Sequence, residues 1–266
     1  MAIQTGAPPV VRSTRGYASV IPKHSIFDYA AVNVGDIAPH TVGDRLLLAD
    51  GRVFHYALNY TGAALAPGKM CQAAVIDANF KEMVCPTASA AAVDYVWATL
   101  GGTAVTANMF ANGYVYSSYV TGNTPFIAKI RSHVAQTTTT GNVKFNTYDP
   151  LPAAVTVTAK ISVVKNLWQD VVVVPLGGQT GPCAGVPLIT IPVSTATILY
   201  YGWLQTWGDS ICLGQGTVTV GQNQGIGGTA DGASAALAAY TTPIWGVARR
   251  TGTSAYYNPI FLTIAP

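Results

Sequence analysis

Charge is what this chain has least of. Lys, Arg, Asp and Glu make up 9% of its 266 residues, and Glu82 is its only glutamate. From Val171 to Ala248 only Asp209 and Asp231 carry a charge. A soluble domain ordinarily keeps roughly a quarter to a third of its surface ionic, so that like molecules repel and water is held. A stretch this bare must span a membrane, lie against other subunits, or hydrate itself with Thr, Ser, Asn and Gln. Long hydrophobic runs are missing too. A spanning helix needs about 18–20 continuous apolar residues, and Pro175, Gly177, Gly178, Pro182, Gly185, Pro187 and Pro192 interrupt every candidate run. A spanning helix is therefore excluded, and a polar but uncharged protein packed among neighbours remains.

Other absences narrow the chemistry. The four histidines, His24, His40, His55 and His133, show no metal-ligand spacing, and no HExxH pair occurs. No GxSxG elbow activates any of the serines. Asp36, Asp44 and Asp50 are too widely spaced for a calcium loop and read as turn formers. Residues 225–230 (GIGGTA) imitate a dinucleotide loop. The acid expected about 20 residues on is missing, so a flexible glycine loop is the better reading. Cys71, Cys85, Cys183 and Cys212 form no CxxC pair and read as free thiols acting as small hydrophobes. No catalytic residue, cofactor or metal is expected, and the chain reads as a non-enzyme. The N-terminal MAIQTGAPPVVRSTRG lacks the charged-then-apolar pattern of a secretory leader, so the expectation is a protein made in a cytosol. Without secretion, the sequon Asn59-Tyr60-Thr61 is a chance match.

The net charge of +3 is divided unevenly. Residues 1–27 hold Arg12, Arg15 and Lys23 with no acid; residues 28–248 hold nine basic and eleven acidic side chains; Arg249 and Arg250 restore the total. That is too little for phosphate-driven nucleic-acid binding, which needs a clustered basic face. A basic arm reaching an acidic patch on a protein partner fits better. Arg12, Arg15, Tyr17 and Lys23 are its candidate contacts.

What the chain does have is apolar content, 50% of its residues, with 27 Gly and 16 Pro to break it up. Disorder is excluded, and many Val, Thr and Tyr favour strands. Residues 1–25 read as an extended arm. Arg45–Ala49 and Arg52–Ala57 read as a hairpin around a two-residue Asp50-Gly51 turn. Ala63–Lys69 is a loop and Met70–Ile76 a strand. Thr87–Trp97 is either a short Ala-rich helix or strand. Gly113–Val120 and Phe126–Ile130 alternate, and Val143, Phe145 and Thr147 mark one buried face. Asp149–Pro152 is the candidate boundary between domains at 26–150 and 151–266. Beyond it Val155, Val157, Ala159, Ile161 and Val163 share a face. Val171–Val174 reads as a strand buried on both sides, followed by strands at Leu199–Gly208, Leu213–Val220 and Ile260–Ile264. Ala233–Tyr240 invites a helix. The fold class is mainly β: short antiparallel strands in one or two sandwich or barrel-like domains, with an extended N-terminal arm and few short helices.

Tyr201, Trp203 and Trp207 fall on one face of an alternating strand, beside Tyr200. Exposed, such a row would stack on sugar rings or form an interface hot spot. Buried, it is core, and apolar Leu199 in the same row and Leu204 on the opposite face favour core.

The ordered series Asp50–Phe54, Ala63–Gln72 (AALAPGKMCQ), Thr106–Tyr116 (TANMFANGYVY), Phe126–His133 (FIAKIRSH), Asp149–Leu151, Gly185–Pro187 and Tyr201–Gly208 (YGWLQTWG) resembles virion structural proteins of tailed phages. These are head decoration, or cement, proteins encoded near capsid genes in aquatic phages. The likeness spans residues 45 to 264 and leaves the N-terminal 40 uncovered. It implies a non-enzymatic protein on the outer face of an icosahedral capsid, made in the host cytoplasm. It would bridge subunits of the major capsid protein, often as a homotrimer, without touching nucleic acid or membrane. The alternatives are another virion component (tail, adaptor or fibre-associated) or a carbohydrate-binding β-domain using Tyr201, Trp203 and Trp207.

Overall fold

A computed structural model of the chain describes residues 10–12, 18–20 and 25–266 except 61, 76, 119–123, 158 and 238–242; for 10–12 and 18–20 only the backbone is described. The chain forms two compact units, one made of 1–74 with 167–266 and the other of 75–166. In chain order the larger unit opens with β1 (Val10–Arg12), β2 (Ala18–Val20), β3 (Tyr29–Asn33), β4 (Arg45–Leu47), β5 (Val53–Leu58) and β6 (Cys71–Gln72). The smaller unit holds a 3-10 turn, Ala78–Phe80, and β7 (Met83–Val84), β8 (Tyr95–Thr99), β9 (Tyr114–Ser117), β10 (Ile127–Ser132), β11 (Asn142–Thr147) and β12 (Lys160–Val164). The larger unit resumes with β13 (Val172–Val173), β14 (Cys183–Pro187), β15 (Ile198–Gln215), β16 (Asn223–Ile226), β17 (Ser234–Ala236), β18 (Gly246–Ala248) and β19 (Tyr257–Thr263). The protein is mainly β with barrel-like sheets, as its composition predicts.

In the smaller unit the sheet runs β7-β12-β9-β10-β11-β8. Alternation explains its core: Val96 and Ala98, Ala128 and Ile130, Val143 and Phe145, Ile161 and Val163 all turn inward around Phe80 and Phe110. The expectation for β11 holds. Val157 departs from its expected face, because a turn closed by the Ala159 N–H on the Thr156 carbonyl leaves it 52% exposed. Thr87–Trp97 is not helical. Ser89 bridges Val155 and Tyr95 begins β8, so pairing overrides the helical preference of its alanines.

The domain boundary expected at Asp149–Pro152 is corrected. Leu151 is 2% exposed within the smaller unit's core, and its N–H bonds the Val93 carbonyl. The prolines mark a corner inside this unit, and the divisions fall after Ala74 and after Asn166.

In the larger unit, β15 is the spine. Along its length it pairs with β3, β5, β14 and β19, all antiparallel, and finally with β17 in parallel. The parallel contact, Gly214 with Ser234 and Gln215 with Ala235, closes the circuit β15-β19-β18-β16-β17 into a small barrel. Cys212, Ile260 and Leu262 from it pack with Trp245, Met70, Val174 and Val186. Ser234–Ala236 is thus a strand where a helix was expected; the end of that expected helix lies outside the described residues. The expected arm is corrected in part. β1 pairs with β2 and, through Val11 and Leu46, with β4, because an open strand edge offers unpaired N–H and C=O groups to added chain.

Asn59 shows how a buried amide can serve several buried carbonyls. It is 1% exposed, and its amide donates to the carbonyls of Ala63, Ile191 and Pro192 at 2.7–3.1 Å. The sequon's asparagine is therefore part of the interior. Asn59→Ala is expected to cost about 1–3 kcal/mol, because it strips buried acceptors of their donor; denaturant melts of the two proteins check this.

Candidate functional site

The aromatic row is split by a bulge. On β5, Phe54 faces Gln205 and the next residue, Val53, faces Trp207, so Thr206 is the extra residue. Before the bulge Tyr201 and Trp203 enter one core cluster with Phe54, Tyr56 and Leu46; Trp203 is 0% exposed and Tyr201 7%. The Trp203 ring lies 5.1 Å from Tyr56 and 5.2 Å from His40. After the bulge the even residues Ser210, Cys212 and Gly214 are buried and Trp207 is only half-buried. The shared face read from alternation is thus corrected, since one inserted residue turns the following side chains over.

The bulge is held from inside. Gln205 donates to the carbonyls of Trp207 and Asp209, at 3.0 and 2.8 Å. The Thr206 hydroxyl donates to the Ala265 carbonyl at 2.7 Å and meets His55 Nδ1 at 3.1 Å. His55 stacks flat on Trp168 with ring centres 3.9 Å apart. Burial, with help from the Arg45 charge, lowers the His55 pKa to about 4.

Outside the bulge lies a cleft of about 460 Å³ lined by Asp50, Gly51, Arg52, Trp207, Gly208, Asp209 and Phe261. The β4–β5 hairpin builds one wall. Its loop, Ala49–Gly51, is three residues rather than the expected two: beyond the Leu47–Val53 pair the Leu48 N–H bonds the Arg52 carbonyl at 2.9 Å. Gly51 sits at φ +86°, where other residues are strained. The turn sets Asp50 to accept from the Arg52 backbone N–H at 3.0 Å and from its guanidinium at 2.7 Å. Burial works to raise the Asp50 pKa, but these Arg52 contacts outweigh it and hold the carboxyl below its ordinary value. The other wall is β15 against β19. Asp209 lies opposite Phe261 and pairs with Arg249 at 2.8 Å, while Trp207 meets Phe261 edge to face at 5.7 Å. Gly208, at φ +89°, brings the strand so close that a Cβ would stand 3.0 Å from the Arg52 Cγ.

Of the candidate binding residues whose side chains are described, Trp207 reaches this cleft; Tyr201 and Trp203 are core. Arg15, Tyr17 and Lys23 lie outside the described residues, as does the Arg12 side chain. Asp50, Arg52, Asp209 and Phe261 were not among the site residues expected from the sequence. Asp50-Gly51 showed only as a turn, and nothing in the sequence joins that turn to β15. Cys71, Cys85 and Cys212 are buried and Cys183 half-buried, all as free thiols. Burial lifts Cys212 to about 12 and Cys183 to about 11. Among the described residues no three of His, Cys, Asp and Glu gather as metal ligands. No family model, no curated protein and no solved structure matches the chain.

Proposed function

We propose that this protein is a non-enzymatic virion component that binds the outer surface of an icosahedral phage capsid and bridges major capsid subunits, as a homotrimer. One observation carries the reading: the exterior of the charge-poor stretch 171–248. Its described residues expose Leu176, Ile211, Val220 and Ile244, against Asp209 and Asp231 as its only charges. Asp209 is paired with Arg249, and Asp231 accepts the Leu176 N–H. Apolar side chains exposed along a stretch that carries so little charge suit a surface that a partner covers. Near β3, Phe27, Val34 and Ile37 are also exposed, Ile37 by 94%.

The resemblance to decoration proteins supplies the kind of partner. Mechanically, each contact would bury apolar area worth about 25 cal/mol per Å², and attachment at several sites multiplies a modest affinity. Cryo-EM of particles carrying the protein, beside particles stripped of it, tests the reading. Density on the outer face across neighbouring capsid subunits is expected. Density confined to the tail, or none, removes the proposal.

A further inference from the structure

We infer that the cleft between the β4–β5 hairpin and the β15–β19 pair is a binding site for a neutral glycan. This goes beyond capsid attachment and does not depend on it. The cleft combines three features that a sugar requires. Its volume, about 460 Å³, is in the range of small-molecule sites. It presents two aromatic rings, Trp207 and Phe261, set edge to face, and an indole face accepts the C–H face of a pyranose. Around them stand acceptors and donors for hydroxyl groups: the carboxylates of Asp50 and Asp209 and the guanidinium of Arg52.

The charges decide the class of ligand. Each carboxylate is already paired with a guanidinium, Asp50 with Arg52 at 2.7 Å and Asp209 with Arg249 at 2.8 Å. The site is therefore neutral as a whole. An anionic or cationic ligand would have to break a pair, whereas hydroxyls use the remaining lone pairs and N–H groups of both. Two backbone devices keep the site in shape. The Thr206 bulge turns Trp207 out of the core, and Gly208 lets Arg52 lie against β15. The exposed ion pairs contribute little to stability, so folding alone gives weak reason for the arrangement.

The test uses the full-length chain with maltotriose, cellotriose, mannotriose and galactotriose as neutral probes and 3′-sialyllactose as the charged one. Binding is followed by ligand-observed NMR and by quenching of tryptophan fluorescence. Saturable binding of at least one neutral trisaccharide is expected, weakened about tenfold or more by Trp207→Ala. Asp209→Asn, an exposed change that leaves the fold intact, is expected to weaken the same sugar. Tyr148→Ala, in the other unit, is expected to leave binding unchanged. Silence of every neutral probe overturns the inference, as does sialyllactose binding alone or binding that survives both cleft variants. Because capsid attachment is read in a separate experiment, failure of one proposal leaves the other standing.

Discussion

Acidification from pH 7 to pH 4 is expected to remove about 3 kcal/mol of stability through His55 alone. The imidazole is 6% exposed and stacked on Trp168. Burial first, and the Arg45 charge second, bring its pKa from 6.5 to about 4. The unfolded chain thus binds a proton near pH 6.5 that the folded protein refuses until about pH 4. Stability is complete above pH 6.5 and falls as pH drops through that window. A displacement of this size, at about 1.4 kcal/mol per pH unit, gives the figure above. His133 acts in the same direction, since burial lowers its pKa despite the Val134 carbonyl that favours its charged form. His55→Gln keeps a polar side chain near the Thr206 hydroxyl but cannot take up the proton. Urea melts at pH 7 and pH 4 are expected to show a smaller acid loss in this variant than in the parent. Parallel losses in the two proteins would contradict the assignment.

The second large effect separates the two tryptophans of β15. Trp203→Ala empties a fully buried site against Tyr56 and His40 and is expected to cost about 3–5 kcal/mol. Trp203→Phe keeps most of the contact and is expected to cost much less. Trp207→Ala removes a half-buried ring from the outer side and is expected to cost about 1 kcal/mol. Denaturant midpoints of the three variants check the order. Equal losses from the two alanine variants would mean that Trp207 is structural core and would remove the bulge argument from the site.

Much of the fold could be read from local pattern, because alternation and turn chemistry are local signals. The Asp50-Gly51 hairpin, the inward face of Val143, Phe145 and Thr147, and the strand beginning near Leu199 are all of this kind. The bulge at Thr206 was not legible. Tyr201, Trp203 and Trp207 keep a perfect period of two, and the extra residue exists only in the register against Phe54 and Val53. The insertion of residues 75–166 was hidden for a similar reason. Pro150 and Pro152 look like a linker unless Leu151 is known to be buried. Alanine-rich segments at 87–97 and 233–240 suggested helices because propensity is weak beside pairing partners that lie far off in sequence. The cleft needed both failures repaired. Its walls, Asp50–Arg52 and Trp207–Asp209, meet only through the β5–β15 ladder.

The central claim is that the sparsely charged exterior is covered by a capsid through apolar contact. Co-sedimentation of the purified chain with shells of the major capsid protein from the same particle, in low and high salt, tests it most directly. At about 1 M salt, where charges are screened beyond about 3 Å, saturable binding is expected to persist almost undiminished. Binding that vanishes in high salt, or a chain left wholly in the supernatant at every salt concentration, would contradict it.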